Sequence, residues 1–387
     1  MMRLIWRELQ QLKQHKWDLC MVTVVPLLVI LLFSTMFIHG KAEHMPIAII
    51  DQDHSQLSHN IEKYLRLNST LDVALISDQT QVVETALNKT QIWGYIYIPE
   101  GAEQRLSRAE DAQINIFYNQ SFYSIGSSIS TAMSSSTIQA ALDFLSQDHL
   151  GNMIPYANFP TPHLKISPLY NPNMSYEFFL EPFVIPAVLH LLLCCVVAFS
   201  IGQDLKKDFH YCQNSKQVIY SIFAKILLYV TIFCAWTWGW LFWMILIRGW
   251  FVAGHLWLLL LGQFALYCAY ALVTAVVVMF TQNLAKTFGF IAMYGGSSLS
   301  FSGISLPINN APLFTKFWSN IIPFTPYAKL QTEQWVIGSD ANISMIALFI
   351  LLLHLFIYLV LILLKTQKMY QYKNMVTSPL LDNRGEQ

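Results

Sequence analysis

Nineteen residues from Cys20 to Ile38 pass without a charged side chain. A helix needs roughly 20 apolar residues to cross the hydrocarbon of a bilayer, so this run is long enough to span. Five more apolar runs follow: Phe183 to Ile201, Ile222 to Ile247, Leu256 to Phe280, Thr287 to Ile304 and Ile343 to Leu364. With 55% hydrophobic and 12% charged residues among 387, the chain has the composition of a membrane protein. Eleven Trp and eighteen Tyr agree, because these rings gather at the two membrane interfaces. The first run exceeds the apolar core of about 7 to 15 residues in a cleaved signal, and no small-x-small site follows it, so it is expected to remain as a span.

Residues 1–19 precede that span. From Arg3 to Leu19, Leu4, Ile5, Leu9 and Leu12 recur near helical spacing, with Arg3, Arg7, Lys13 and Lys16 between them. This is the pattern of an amphipathic helix lying in the membrane interface. Four basic residues before span 20–38, against Lys41 just after it, place the N-terminus in the cytoplasm.

Residues 39–180 are polar and cysteine-free, and by that orientation they are external. Pro46–Ile50, Val73–Ile76, Trp93–Ile98 and Ile114–Tyr118 read as strands, and Gln56–Leu67 and Thr80–Asn88 as helices. Their alternation predicts a mixed α/β sheet with parallel pairing. Ser121 to Ser146 reads as a long helix or helix pair leading away from the sheet, and Pro155, Pro160, Pro162, Pro168 and Pro172 predict an extended return to the membrane.

Residues 181–364 hold the remaining five spans. Alternating them from an external start puts Lys206, Lys207, Lys216, Lys286, Lys365, Lys368 and Lys373 inside, and Arg248, Lys316 and Lys329 outside. That charge bias supports both termini in the cytoplasm. The expected fold is therefore membrane α-helical, six transmembrane helices with a mixed α/β external (periplasmic) domain between helices 1 and 2. A polar cytoplasmic tail occupies 365–387.

Several chemistries are excluded or weakened by their missing motifs. Asp51, Asp53, Ser55, His59 and Glu62 stand at calcium-loop spacing, but Gln56 occupies the position that needs glycine, and a strand precedes the turn. A helix cap by Asp53 or Ser55 is the better reading. No P-loop, G-x-S-x-G or H-E-x-x-H motif occurs, so no catalytic, metal or cofactor-binding residue is assigned. Adjacent Cys194 and Cys195 lack a metal-ligand spacing and read as apolar helix residues. Proton- or ion-coupled carriers keep ionisable groups in their spans. Here only His190 and His354 lie deep, and Lys225 and Glu181 are expected to reach water near helix ends. Such a chain is passive or is driven by another subunit.

Two stretches could carry function. The loop 202–221 offers Asp204, Lys206, Lys207 and Asp208 as polar contacts and Phe209 and Tyr211 as apolar anchors for a cytoplasmic motor, against a plain solvated connector. Ser297, Ser298, Ser300, Phe301 and Ser302, beside Gly295, Gly296 and Gly303, could line a translocation path or let helices pack closely. Residues 305–338 are expected to form short re-entrant helices.

Taken in order, RELQQL, WD and PLLVILLF (with Arg7, Glu8, Asp18, Pro26 and Phe33), AIIDQDHSQLS at Ala48–Ser58, NPN at Asn171–Asn173, FLEPFVIP, and FSGISLP, AP, IPFTPYA and WVIGS between Phe301 and Ser339 resemble the permease subunits of type-2 ABC (ABC-2) transporters, in the multidrug-exporter-like subgroup with a large external domain. The resemblance covers nearly the whole chain. It departs from the family where an R-E-x-x-x-G-T motif is common after the second span, since this chain has Gln203, Asp204, Asp208 and Phe209 there.

The resemblance implies an efflux permease in a bacterial inner membrane that moves an amphipathic small molecule or lipid-like substrate outward. It implies dimerisation with itself or a similar permease, and two ABC ATPase subunits that dock at the coupling loop and themselves bind ATP and Mg, neither of which this chain binds. It admits a periplasmic adaptor and contacts with membrane lipids, and gives no role to nucleic acid. The alternative is a membrane-anchored sensor or binding protein whose α/β domain takes the ligand.

Overall fold

The computed structural model describes residues 1–37, 43–108, 110–119, 123–148, 175–207, 214–305, 308 and 311–382. The chain divides into two units, Gly40–Ser175 and a second made of Met1–His39 with Tyr176–Gln387.

The first unit is built on strands β1 (Met45–Asp51), β2 (Leu71–Ser77), β3 (Gly94–Ile98) and β4 (Asn115–Tyr118), in the spatial order β2-β1-β3-β4. Strand β1 pairs in parallel with both neighbours, and β3 pairs antiparallel with β4. Central β1 is apolar without alternation because helices cover both of its faces. Ile47 and Ile49 meet Leu57, Ile61 and Leu65, which lie on α3 (Gln56–Leu67), whereas Ala48 and Ile50 meet Val83 and Ala86 of α4 (Thr80–Asn88). Helix α5 (Ala102–Ser107), too short to show in the sequence, joins β3 to β4.

The serine-rich stretch forms one helix, α6 (Tyr123–Asp148), and it does not lead away from the sheet as expected. It packs along α3, with Ile129, Met133, Ala140 and Phe144 in the same core as β1. Those four recur at helical spacing on one face, and the small Ser and Ala between them let the helices approach. The expected proline-rich return at Pro155 to Pro172 lies outside the described residues.

The calcium-like turn is used up by capping. Ser55 and Ser58 form a reciprocal capping box at the start of α3. Asp53 accepts hydrogen bonds from the backbone amides of Gly101, Ala102 and Glu103 at 2.7, 3.1 and 3.0 Å, capping α5 instead. Glu103 reciprocates by accepting from the Leu57 amide at 3.0 Å. Burial opposes the charge of Asp53, but the bonds from Ser55 and the three amides prevail and hold its carboxyl below the ordinary value.

The second unit is helical. It begins with α1 (Met2–Gln14) and α2 (Lys16–Phe37) and resumes with α7 (Tyr176–Phe179), α8 (Glu181–Lys206), α9 (Ser215–Leu246) and α10 (Leu256–Thr281). Then come α11 (Leu284–Gly296), α12 (Ser298–Phe301), α13 (Leu313–Ile321), α14 (Phe324–Gln331), a π-helical turn at Thr332–Ile337 and α15 (Ala341–Asp382). Five helices among the described residues, α2, α8, α9, α10 and α15, are long and apolar enough to cross a membrane. Helices α8 and α10 form the centre of the unit, buried over 67% and 72% of their apolar windows, whereas α2 and α15 are buried over only 22% and 28%.

The fifth expected span, Thr287–Ile304, is not one helix. It breaks at Ser297 between α11 and the single turn α12, and α11 at 13 residues reaches only about 20 Å. Tyr294, Ser297 and Ser298 redirect hydrogen bonds across that break, as described below. Short helices α13 and α14 occupy the segment for which short helices were expected.

Removing the α5 cap gives a direct test of the turn. Asp53→Ala is expected to destabilise the sheet unit by about 1–2 kcal/mol, the range for a lost cap, and Asp53→Asn by less, in thermal unfolding followed through Trp93. Millimolar calcium is expected to leave the wild-type midpoint unchanged.

Candidate functional site

Three pairs of residues, each spaced four apart on its own helix and each holding at least one polar side chain, meet at one end of the helical unit. Glu8 and Leu12 are the buried residues of α1, Ser200 and Asp204 lie in the last turns of α8, and Lys225 and Tyr229 lie on α9. Spacing of four puts both members of a pair on one helix face, so each helix offers a continuous edge to the other two. The Lys225 ammonium lies 2.9 Å from Glu8 Oε2 and 2.9 Å from Asp204 Oδ2, and donates to Ser200 Oγ at 2.7 Å and to its carbonyl at 3.1 Å. Glu8 Oε1 accepts from the hydroxyls of Ser200 at 2.5 Å and Tyr229 at 2.7 Å.

Side chains of Lys225, Glu8 and Asp204 are only 6%, 8% and 8% exposed. The expectation that Lys225 reaches water is therefore wrong, because α1 folds over it and supplies a carboxylate. Burial works against the charge of Glu8, yet Lys225 and the bonds from Ser200, Lys225 and Tyr229 outweigh it and hold the carboxyl below its ordinary value. The neighbouring α2 is tied to the same helix, since Trp236 Nε1 of α9 donates to the Val22 carbonyl at 2.9 Å.

Beside this network lies a cavity of about 430 Å³ between α1, α2, α8, α9 and α11. Glu8, Ser200, Asp204, Lys225 and Tyr229 form part of its lining.

The residues expected to dock a motor are divided by the structure. Asp204 turns inward to Lys225, and Lys206 and Lys207 are exposed at the end of α8. Asp208, Phe209 and Tyr211 lie outside the described residues. The network now joins Asp204 to α1, a connection that sequence reasoning missed. Its signal was available: a lysine four residues from a tyrosine within an apolar run, and a glutamate on the apolar side of α1.

The serines expected along a path are mostly engaged in packing. Ser298 Oγ is buried and bonds to Tyr270 Oη, and Ser302 donates to the Leu299 carbonyl at 2.7 Å. Ser297 accepts from Trp318 Nε1 at 3.0 Å, and Tyr294 Oη bonds to the Ile321 carbonyl and to Tyr358 Oη, both at 2.8 Å. These bonds gather α10, α11, α13 and α15 around the α11–α12 break. Gly295 packs close enough to α8 that an added Cβ would meet Leu191 at 2.6 Å. Ser300 is exposed, and Phe301 is half-buried against Phe314 and Trp318.

The remaining ionisable groups are also placed. His190 is fully buried against Tyr270 and hydrogen-bonds the Pro186 carbonyl, whereas His354 is half-buried and bonds the carbonyls of Ile350 and Asn320. Glu181, expected to reach water, is instead enclosed, accepting from Ser34 at 2.6 Å and Trp240 at 2.9 Å. The adjacent Glu177 pairs with Arg248 at 2.7 Å.

A family model described as ABC-2 family transporter protein matches residues 16–364. No curated protein and no solved structure matches the chain.

Taking away the central ammonium leaves two buried carboxylates facing each other, a change that costs about 3–5 kcal/mol. Lys225→Met is therefore expected to release α1, seen as loss of its amide hydrogen-exchange protection, with Glu8→Gln milder because it keeps an acceptor for Ser200 and Tyr229. The sign of the pH effect follows from the lowered Glu8 carboxyl. Its stabilisation is fully present above the ordinary value of 4.5 and is lost as pH falls through the lower folded-state value, so α1 protection corrected for intrinsic exchange should fall in acid and hold at neutral pH.

Proposed function

Given that the chain belongs to the ABC-2 transporter family and is the membrane component of an ABC transporter, we propose that it is an export permease driven at the α1–α8–α9 end by separate ATPase subunits. The observation that carries this reading is the Glu8–Lys225–Asp204 network, which fastens an amphipathic surface helix to the two helices flanking the 202–221 loop. A push on the loop or on α1 would then be delivered to α8, α9 and α2 together.

In this reading two ATPase subunits bind and hydrolyse ATP with Mg at the cytoplasmic face of a permease dimer, formed with a second copy or a related permease. Support for a separate motor comes from the sequence, which has no P-loop of its own. The exposed Lys206 and Lys207 at the end of α8 suit a docking edge, and Asp208, Phe209 and Tyr211 follow them in the sequence. The α/β unit faces the periplasm, both termini face the cytoplasm, and the cargo is an amphipathic or lipid-like small molecule moved outward across the inner membrane. The loop-charge bias supports that orientation. Dense packing around Ser297 and Ser298 favours a static helix junction there over a wide path within one protomer.

Two measurements test the reading. With single cysteines in a cysteine-free background, Lys89→Cys is expected to react with a membrane-impermeant maleimide in intact cells, and Lys207→Cys only after permeabilisation; the reverse pattern would invert the topology. In nanodiscs with the P-loop ATPase subunit that co-purifies with the chain, ATP hydrolysis is expected to drop about tenfold in Lys225→Met with the ATPase still bound. Unchanged hydrolysis would contradict coupling through the network.

A further inference from the structure

The cavity beside the buried network is walled by two kinds of surface. One is the charged floor already described, which belongs to α1, α8 and α9. The other is apolar: Met21 from α2, Leu192, Val196 and Phe199 from α8, and Phe288 from α11. Val196, Phe199 and Leu192 recur at intervals of three and four along one face of α8, so the apolar wall is a continuous stripe and not a scatter of contacts.

Asp18 stands in this wall, in the first turn of α2. It is half-buried and makes no ion pair among the described residues, unlike the floor carboxylate Glu8, which Lys225 neutralises. The position is informative. A carboxylate in the first helical turn is a favourable place for a negative charge because of the helix dipole, and Phe199 and Phe288 add to the lining two aromatic side chains, a residue type that attracts cations. The volume of about 430 Å³ falls in the range of roughly 300–1,000 Å³ that holds small organic molecules.

We propose that this cavity is a binding site for an organic monocation with an apolar body, its charge set against Asp18 and its body against the Met21, Leu192, Val196, Phe199 and Phe288 surface. The chemistry selects among ligands. A bare divalent cation would need several ligating groups together, and no cluster of three or more His, Cys, Asp or Glu residues suited to a metal occurs among the described residues. Of the two lysines in the lining, Lys225 is taken by Glu8 and Asp204, and Lys207 is exposed at the end of α8, where solvent screens it, so an anionic amphipath would bring its charge toward the unpaired Asp18. A polyamine would leave the apolar stripe uncovered. Binding belongs to the isolated chain, so it stands or falls separately from the transport reading.

Tetraphenylphosphonium and tetraphenylborate have nearly the same shape and opposite charge, which makes the pair a clean probe. The purified full chain in maltoside micelles is titrated with each by equilibrium dialysis, with protein-free micelles as the blank. Saturable, one-site binding of tetraphenylphosphonium is expected, with tetraphenylborate failing to compete. Asp18→Asn is expected to weaken tetraphenylphosphonium about tenfold, and Asp18→Lys to abolish it. Val196→Trp, which fills the apolar half and leaves the charge in place, is expected to reduce binding to a similar degree, and thermal unfolding in the same micelles verifies that each variant remains folded. Equal affinity for the two ions, or binding of tetraphenylphosphonium that survives both Asp18→Lys and Val196→Trp in folded protein, would overturn the proposal.

Discussion

An ammonium group within an apolar helix bundle must be neutralised where it sits, and Lys225 sets this requirement for the whole helical unit. Water cannot serve, because only 6% of the side chain is exposed. Two carboxylates, a hydroxyl and a carbonyl therefore converge on it from α1 and α8. The cost of leaving any one charge unpaired is far larger than the value of a surface ion pair. Helix α1, which from its pattern would merely rest on a membrane, is thereby fixed to α8 and α9. The cavity, the approach of α2 and the orientation of Asp204 all follow from that attachment.

The opposite strategy operates around the α11–α12 break. There the helix stops at Gly296, and the polar groups freed or exposed by the break are met by neutral partners: Tyr270 on Ser298, Trp318 on Ser297, and Tyr294 between Ile321 and Tyr358. Neutral hydroxyls and an indole satisfy one another at small desolvation cost, so this junction stabilises an irregular backbone without a net charge in the bundle. Close approach at Gly295 seals it against α8.

Much of this was legible in the sequence wherever a local rule decides the outcome. The limits of α3 and α4 and the parallel pairing of β1 follow from periodicity and from the alternation of strand and helix, and Ser55 was recognisable as a cap. What escaped depends on partners distant in the chain. Asp53 caps α5 about 50 residues away, α6 turns back onto α3, and Lys225 finds Glu8 across more than 200 residues. A lysine near a helix end reads as solvated until another helix covers it, and hydropathy does not report that covering. The break at Ser297 was hidden for a similar reason, since Gly and Ser are tolerated in membrane helices and only the Tyr and Trp partners of the neighbouring helices make the interruption stable.

The central claim is that α1 and the α8–α9 hairpin move as one body because Lys225 binds them. Spin labels at Gln10→Cys on α1 and Lys216→Cys on α9, both exposed positions, report this directly through their dipolar distance in the complex at rest and trapped after ATP binding. The account predicts a single narrow distance distribution whose mean is the same in both states, while distances from either label to the far end of α15 change. A distribution between Gln10 and Lys216 that broadens or shifts on ATP binding, with Lys225 intact, would contradict it.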